Sequence, residues 1–88
     1  MAKIQIKTKK TAKDVLVEYQ VRYQFSDADL MELFGVSRQM VWNYLTGRMA
    51  PSITRLLWLA SSKAGEWEGE MCREMLLARG YEFKAVAA

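Results

Sequence analysis

The chain has 88 residues, 51% of them hydrophobic, enough for one small domain with a true core and too few for an elaborate active site. With no histidine, a single cysteine and no glycine-rich phosphate loop, it lacks the usual zinc sites, the histidine-based triads and nucleotide-cradling turns, so no enzyme, metal or cofactor is expected. No apolar run reaches the roughly 18–20 residues of a membrane span, and the formal net charge is only +3, a weak pointer to nucleic acid taken alone.

Residues 3–7, Lys-Ile-Gln-Ile-Lys, alternate polar and apolar in the manner of a short half-buried strand. Near the other end Tyr81, Phe83 and Ala85 alternate with Glu82, Lys84 and Val86. Pairing of the two ends, within one chain or across a dimer, would satisfy their backbone groups, and fraying of both is the alternative. Thr11 can cap a helix over 12–24, with Val15, Leu16, Tyr19 and Tyr23 as its buried stripe. Its β-branched Val15, Val17 and Val21 lower its intrinsic helicity, so packing must hold it.

Ser26 and Asp29 have capping-box spacing at the start of a second helix, in which Leu30, Leu33 and Phe34 form the apolar face and which Gly35 ends. Val36 plugs a tight turn, and Ser37 is a ready N-cap for a third helix over 38–45. The 3.6-residue repeat sends Val41, Tyr44 and Leu45 inward, with Met40 at their edge. Arg38, Gln39, Trp42 and Asn43 face outward, and arginine, glutamine and asparagine carry the paired donors and acceptors that match base edges in the major groove. Trp42 can pack on a thymine methyl or sugar, meet a partner protein, or lie under Arg38 in a cation–π contact. Gly47 closes this helix, and Pro51 opens a fourth over 52–62, with Ile53, Leu56, Leu57 and Ala60 inward and Leu59 beside them. Free N–H groups at its start attract anions, which would seat Ser52 and Thr54 on a phosphate flanked by Arg48 and Arg55, the alternative for Arg55 being a carboxylate of the same domain.

A fifth helix over 66–79 places Trp67, Met71, Met75 and Ala78 on one stripe, with Cys72, Leu76 and Leu77 alongside. Early acids and late arginines suit its macrodipole, and Gly80 stops it. The breadth of that apolar surface allows either core closure or a dimer contact through Trp67, Met71 and Met75. The lone Cys72 can form no internal disulfide, which fits a reducing compartment and, with no signal-length apolar stretch, a cytoplasmic protein.

Charge is distributed unevenly. Lys3, Lys7, Lys9, Lys10 and Lys13 come before any acid, and from Leu33 to Gly65 there is no acid while Arg38, Arg48, Arg55 and Lys63 are present. The outward face of the third helix and the loop after it therefore carry nothing that repels phosphate, and Lys10 with its neighbours leads toward the same backbone.

The spacing of Gly35, Val36, Val41 and Tyr44, followed by Gly47-Arg48 and by Pro51 before an Ile/Leu-rich helix, resembles the helix-turn-helix domains of the phage repressor and Cro type over roughly residues 14–64. Met31 departs from that pattern, standing four residues before Gly35 where the family usually has alanine. The methionine must then bend aside or the two helices must cross more openly. The resemblance implies that Ser37, Arg38, Gln39 and Asn43 contact phosphate and bases, with Arg38 and Gln39 nearest the bases. It also implies a phage or mobile-element setting.

The expectation is an all-α, five-helix, repressor-like domain over 11–80, with a basic extension over 1–10 and a tail over 81–88 that can form a short strand. It is expected to bind duplex DNA operators as a homodimer and to regulate transcription. The alternative is a protein-binding adaptor or antitoxin-like module on the same scaffold, using Trp42 and the last helix for its partners.

Overall fold

The computed structural model describes residues 10–83. They form an all-α domain of α1 (Ala12–Tyr23), α2 (Asp27–Phe34), α3 (Arg38–Thr46), α4 (Ile53–Ser62) and α5 (Trp67–Ala78), with no strand among them. None of these helices is long and apolar enough to cross a membrane. The strand expected at 3–7 lies outside the described residues. The strand expected after Gly80 is absent in its described part. There the Tyr81 N–H donates to the Leu76 carbonyl at 3.0 Å and Arg73 lies 4.1 Å over the Phe83 ring, so residues 81–83 close the end of α5 instead of pairing as a strand.

Local chemistry sets the helix ends. The Thr11 hydroxyl accepts from the Asp14 N–H at 3.2 Å while the Asp14 carboxylate accepts from the Thr11 N–H at 3.0 Å. That backbone hydrogen bond, with the hydroxyl beside it, holds the Asp14 carboxyl below its ordinary range. Ser26 and Asp29 form the same reciprocal box on α2, at 3.2 and 2.8 Å. Gly35 ends α2 at φ +66°, a left-handed conformation that other residues enter at a cost, and both its N–H and that of Val36 return to the Met31 carbonyl.

α5 packs against α4 and α1, and α3 against α1 and α2. The core joins Val15, Leu16 and Tyr19 of α1, Leu30 and Phe34 of α2, Val41 and Tyr44 of α3, Leu56 and Leu59 of α4, and Met71, Cys72, Met75 and Leu76 of α5. Full burial of each large aliphatic side chain stabilises the fold by about 1.5–3 kcal/mol, which is how the valine-rich α1 stays helical.

Some side chains fall elsewhere than periodicity puts them. Met71 and Met75 are 0% and 1% exposed, enclosed by the chain itself, so the dimer contact expected of them cannot be theirs. Trp67 is half-buried because Phe25 and Tyr23 stack on it, at 4.5 and 5.4 Å between ring centroids. Tyr23 sits at the rim, exposed, and not in the α1 stripe. On α4 the buried face is centred on Leu56 and Leu59, with Ile53, Leu57 and Ala60 at its margins. Met31 is partly buried and packs against the edge of the core. Cys72 is fully enclosed, and burial pushes its thiol up to about 12, which leaves it an inert core residue.

Candidate nucleic-acid interface

The Ser37 hydroxyl starts α3 by accepting from the Met40 N–H at 3.2 Å, and Val41 and Tyr44 anchor the helix in the core. Those two inward anchors fix which residues face out. Arg38 and Gln39 are exposed, Trp42 is 49% exposed, and the three line one shallow groove. Asn43 is half-buried, its amide nitrogen 3.8 Å from the Met40 sulfur and 3.9 Å from the Met49 sulfur. These are weak acceptors, so the amide keeps most of its hydrogen-bonding capacity. Arg38, Gln39, Trp42 and Asn43 thus share the outward side of α3 that the repeat predicts.

The cation over Trp42 is Arg48, its guanidinium carbon 5.4 Å from the ring centroid, and not Arg38. The chain turns back after Thr46. The Arg48 N–H donates to the Asn43 carbonyl at 2.9 Å, which brings the start of the 48–51 loop alongside the end of α3. Arg48 therefore belongs to the same surface as Trp42.

α4 begins at Ser52, whose hydroxyl accepts from the Arg55 N–H at 3.1 Å. Ser52 and Thr54 are exposed at this end. The first turns of α1 and α2 carry acids, Asp14 in the one and Asp27 and Asp29 in the other, whereas the first turns of α3 and α4 carry none. Their positive dipole ends are left uncompensated by carboxylates.

Two of the expected phosphate contacts are engaged elsewhere. Arg55 donates to the Leu33 carbonyl at 2.9 Å and lies 4.9 Å over the Trp58 ring, with its Nε buried and without a partner. It satisfies a carbonyl left open at the end of α2 and braces α4 against the α2–α3 turn, so it is an internal strut. Lys10 pairs with Glu18 and lines a groove with Glu74 and Leu77. The hydrogen bond to Glu18 raises the Lys10 ammonium above its ordinary pKa.

Of the lysines leading into α1, Lys13 lies beside the 47–51 loop and Lys10 does not. The Lys13 Cδ would stand 3.2 Å from a Cβ on Gly47, so its stem crosses the end of α3 beside Arg48. Arg79 reaches the same loop, donating to the Pro51 carbonyl. Sequence spacing alone does not mark Arg79 as more than a helix-end cation. No group of histidine, cysteine and carboxylate side chains able to hold a metal ion occurs among the described residues. Comparison with the models of known protein families, with curated proteins and with solved structures finds no match to this chain.

Proposed function

We propose that the chain is a sequence-specific duplex-DNA-binding transcriptional regulator that lays α3 in the major groove. The observation that carries this reading is the exposure of Arg38, Gln39 and Trp42 on one side of a helix that follows a tight turn. α3 has nine residues, and a helix of about 10–12 Å diameter with its side chains is one that the roughly 12 Å wide major groove admits. The acid-free stretch from Leu33 to Gly65, the neutral caps Ser37 and Ser52, and Arg48 beside Trp42 support approach to phosphate. In this reading Arg38 and Gln39 contact bases, Asn43 and Trp42 add to the readout, and Ser37, Arg48, Ser52 and Thr54 contact the backbone. A homodimer on a two-fold operator completes the proposal, resting on operator symmetry and not on Met71 or Met75.

Selection from a randomised duplex pool, followed by a salt titration on the best sequence, tests it. An enriched inverted repeat whose affinity falls steeply with salt is expected. Weak binding indifferent to sequence contradicts it. The second reading, a protein-binding adaptor, is favoured by Trp58, which is 56% exposed in a groove lined by Glu32, Leu33, Trp67 and Glu68. A protein partner whose affinity depends on Trp58 and not on Arg38 would decide for the adaptor.

A further inference from the structure

A cleft of about 700 Å³ opens between the start of α1, the 47–51 loop and the end of α5. Three of its lining side chains are cations from three separate elements: Lys13 of α1, Arg48 of the loop and Arg79 at the end of α5. Lys13 is held along its stem, and Arg48 and Arg79 by one side of their guanidinium groups. The Lys13 stem crosses Gly47, the Arg48 guanidinium rests 5.4 Å over Trp42, and Arg79 donates to the Pro51 carbonyl. The acid in the lining, Asp14, accepts the Thr11 N–H and stands 4.0 Å from the Lys13 ammonium. An exposed pair at that distance is largely screened, and it leaves Lys13 open to a stronger partner.

Tyr44 adds an observation independent of charge. It lines the cleft, is 8% exposed, and its hydroxyl has no hydrogen-bond partner among the described residues. The oxygen keeps access to solvent, and with no protein acceptor it is free to donate to an oxyanion entering the cleft. A phenol hydroxyl is a donor at neutral pH, and burial moves its pKa further up.

We propose that this cleft binds a phosphate-class oxyanion, with Lys13, Arg48 and Arg79 as its cations and the Tyr44 hydroxyl as a neutral donor. Guanidinium forks match tetrahedral oxyanions edge-on, and an ammonium adds a point charge without fixed geometry. The volume exceeds that of a bare phosphate, which leaves space for the chain or sugar attached to it. Two sources share this chemistry, a backbone phosphate of duplex DNA and a small free phosphate or phosphate ester. The first rests on the DNA-binding reading, and the second does not.

The test uses the full chain and its Lys13→Gln, Tyr44→Phe and Arg79→Gln variants, each checked for an unchanged melting transition. Inorganic phosphate and pyrophosphate are titrated calorimetrically against a chloride control of equal ionic strength, and salt titrations are run on the best duplex. Saturable phosphate binding that weakens about fivefold or more in Lys13→Gln and Tyr44→Phe is expected. With it, the slope of log affinity against log salt should fall by about 1 in Lys13→Gln, with base preference unchanged. A reduced slope, with or without measurable free phosphate binding, supports the backbone source. Variant-sensitive phosphate binding with an unchanged slope, or with no duplex bound at all, supports the free-anion source even where the DNA reading fails. Phosphate binding that is absent or indifferent to all variants, together with an unchanged slope, overturns the proposal while leaving base-specific binding by α3 intact.

Discussion

Trp67 and Trp42 both stand in helices among methionines, yet the fold treats them in opposite ways. Trp67 stacks nearly parallel on Phe25, at 7° and 4.5 Å, and Tyr23 and Tyr19 continue the row of rings. Phe25 comes from the link between α1 and α2, so one indole ties that link to α5. Trp42 has Arg48 for a neighbour and is 49% exposed. The periodicity of each helix is silent on this difference. What decides it is whether a third element arrives to cover the ring. Covered, a tryptophan holds the fold together; uncovered, it offers a surface.

The largest expected effect breaks the covered side. Trp67→Ala removes an aromatic body stacked on two others and should lower stability by about 3–5 kcal/mol, read from urea unfolding. A loss below 0.5 kcal/mol would mean that the stack is incidental and that Trp67 is as free as Trp42.

The same side contains the groups with the most strongly raised pKa values. Burial first, and then the hydrogen bond from its hydroxyl to Glu74 at 3.1 Å, push Tyr19 up to about 12 from 10.0. The folded state therefore keeps a proton that the unfolded chain releases near pH 10. The resulting stability, about 2–3 kcal/mol, is fully present below pH 10 and is lost as pH rises toward 12. Cys72, raised by burial from 9.0 to about 12, acts in the same direction from about pH 9 upward. Urea midpoints should fall steeply between pH 9 and 12. Tyr19→Phe should remove the part of that fall that begins near pH 10, whereas Trp42→Ala should leave the profile unchanged.

Capping was legible in the sequence because it is local: Thr11, and Ser26 with Asp29, mark two helix starts, and the structure adds Asp14 as the partner of Thr11. The outward face of α3 was legible for a related reason, since Val41 and Tyr44 fix the rotation of a short helix. The fates of Met71 and Met75 were not, because an apolar stripe reads alike whether its own chain or a second one covers it. Arg55 was misplaced because its acceptor, the Leu33 carbonyl, lies 22 residues earlier and belongs to a backbone that sequence reading leaves anonymous. Gly69 left a signal that could have been used. A glycine inside a helix costs about 0.5–1 kcal/mol against alanine, and here a Cβ would fall 2.3 Å from the Lys63 carbonyl oxygen, where α5 meets the end of α4. Lys13 and Arg79 meet at one loop from opposite ends of the chain, which no spacing rule anticipates.

On the uncovered side the effects should move from stability to binding. Arg38→Ala and Gln39→Ala remove exposed side chains with no hydrogen bond among the described residues, so melting should stay within about 0.5 kcal/mol of the parent. Each should cost about 1–3 kcal/mol at one base position of the selected operator, measured by competition with single-base variants. Equal losses on every sequence would assign both to phosphate and remove the base-reading role of α3.

Trp42→Ala is the smallest expected change in stability and separates the two tryptophans most sharply. Half of the ring already faces solvent, and its contact with Arg48 is an exposed cation–π pair of about 0.5–1 kcal/mol. Alanine is also the better helix former at a surface position. These two terms oppose each other, so the unfolding midpoint should shift by less than about 0.5 kcal/mol, against the several expected for Trp67→Ala. Operator affinity should respond where stability does not, because losing the indole frees Arg48 from its place beside α3. If Trp42→Ala unfolds as readily as Trp67→Ala, the ring is structural after all. If it changes neither stability nor operator affinity, Trp42 is outside the DNA contact, and a surface for a protein partner becomes the better account of its exposure.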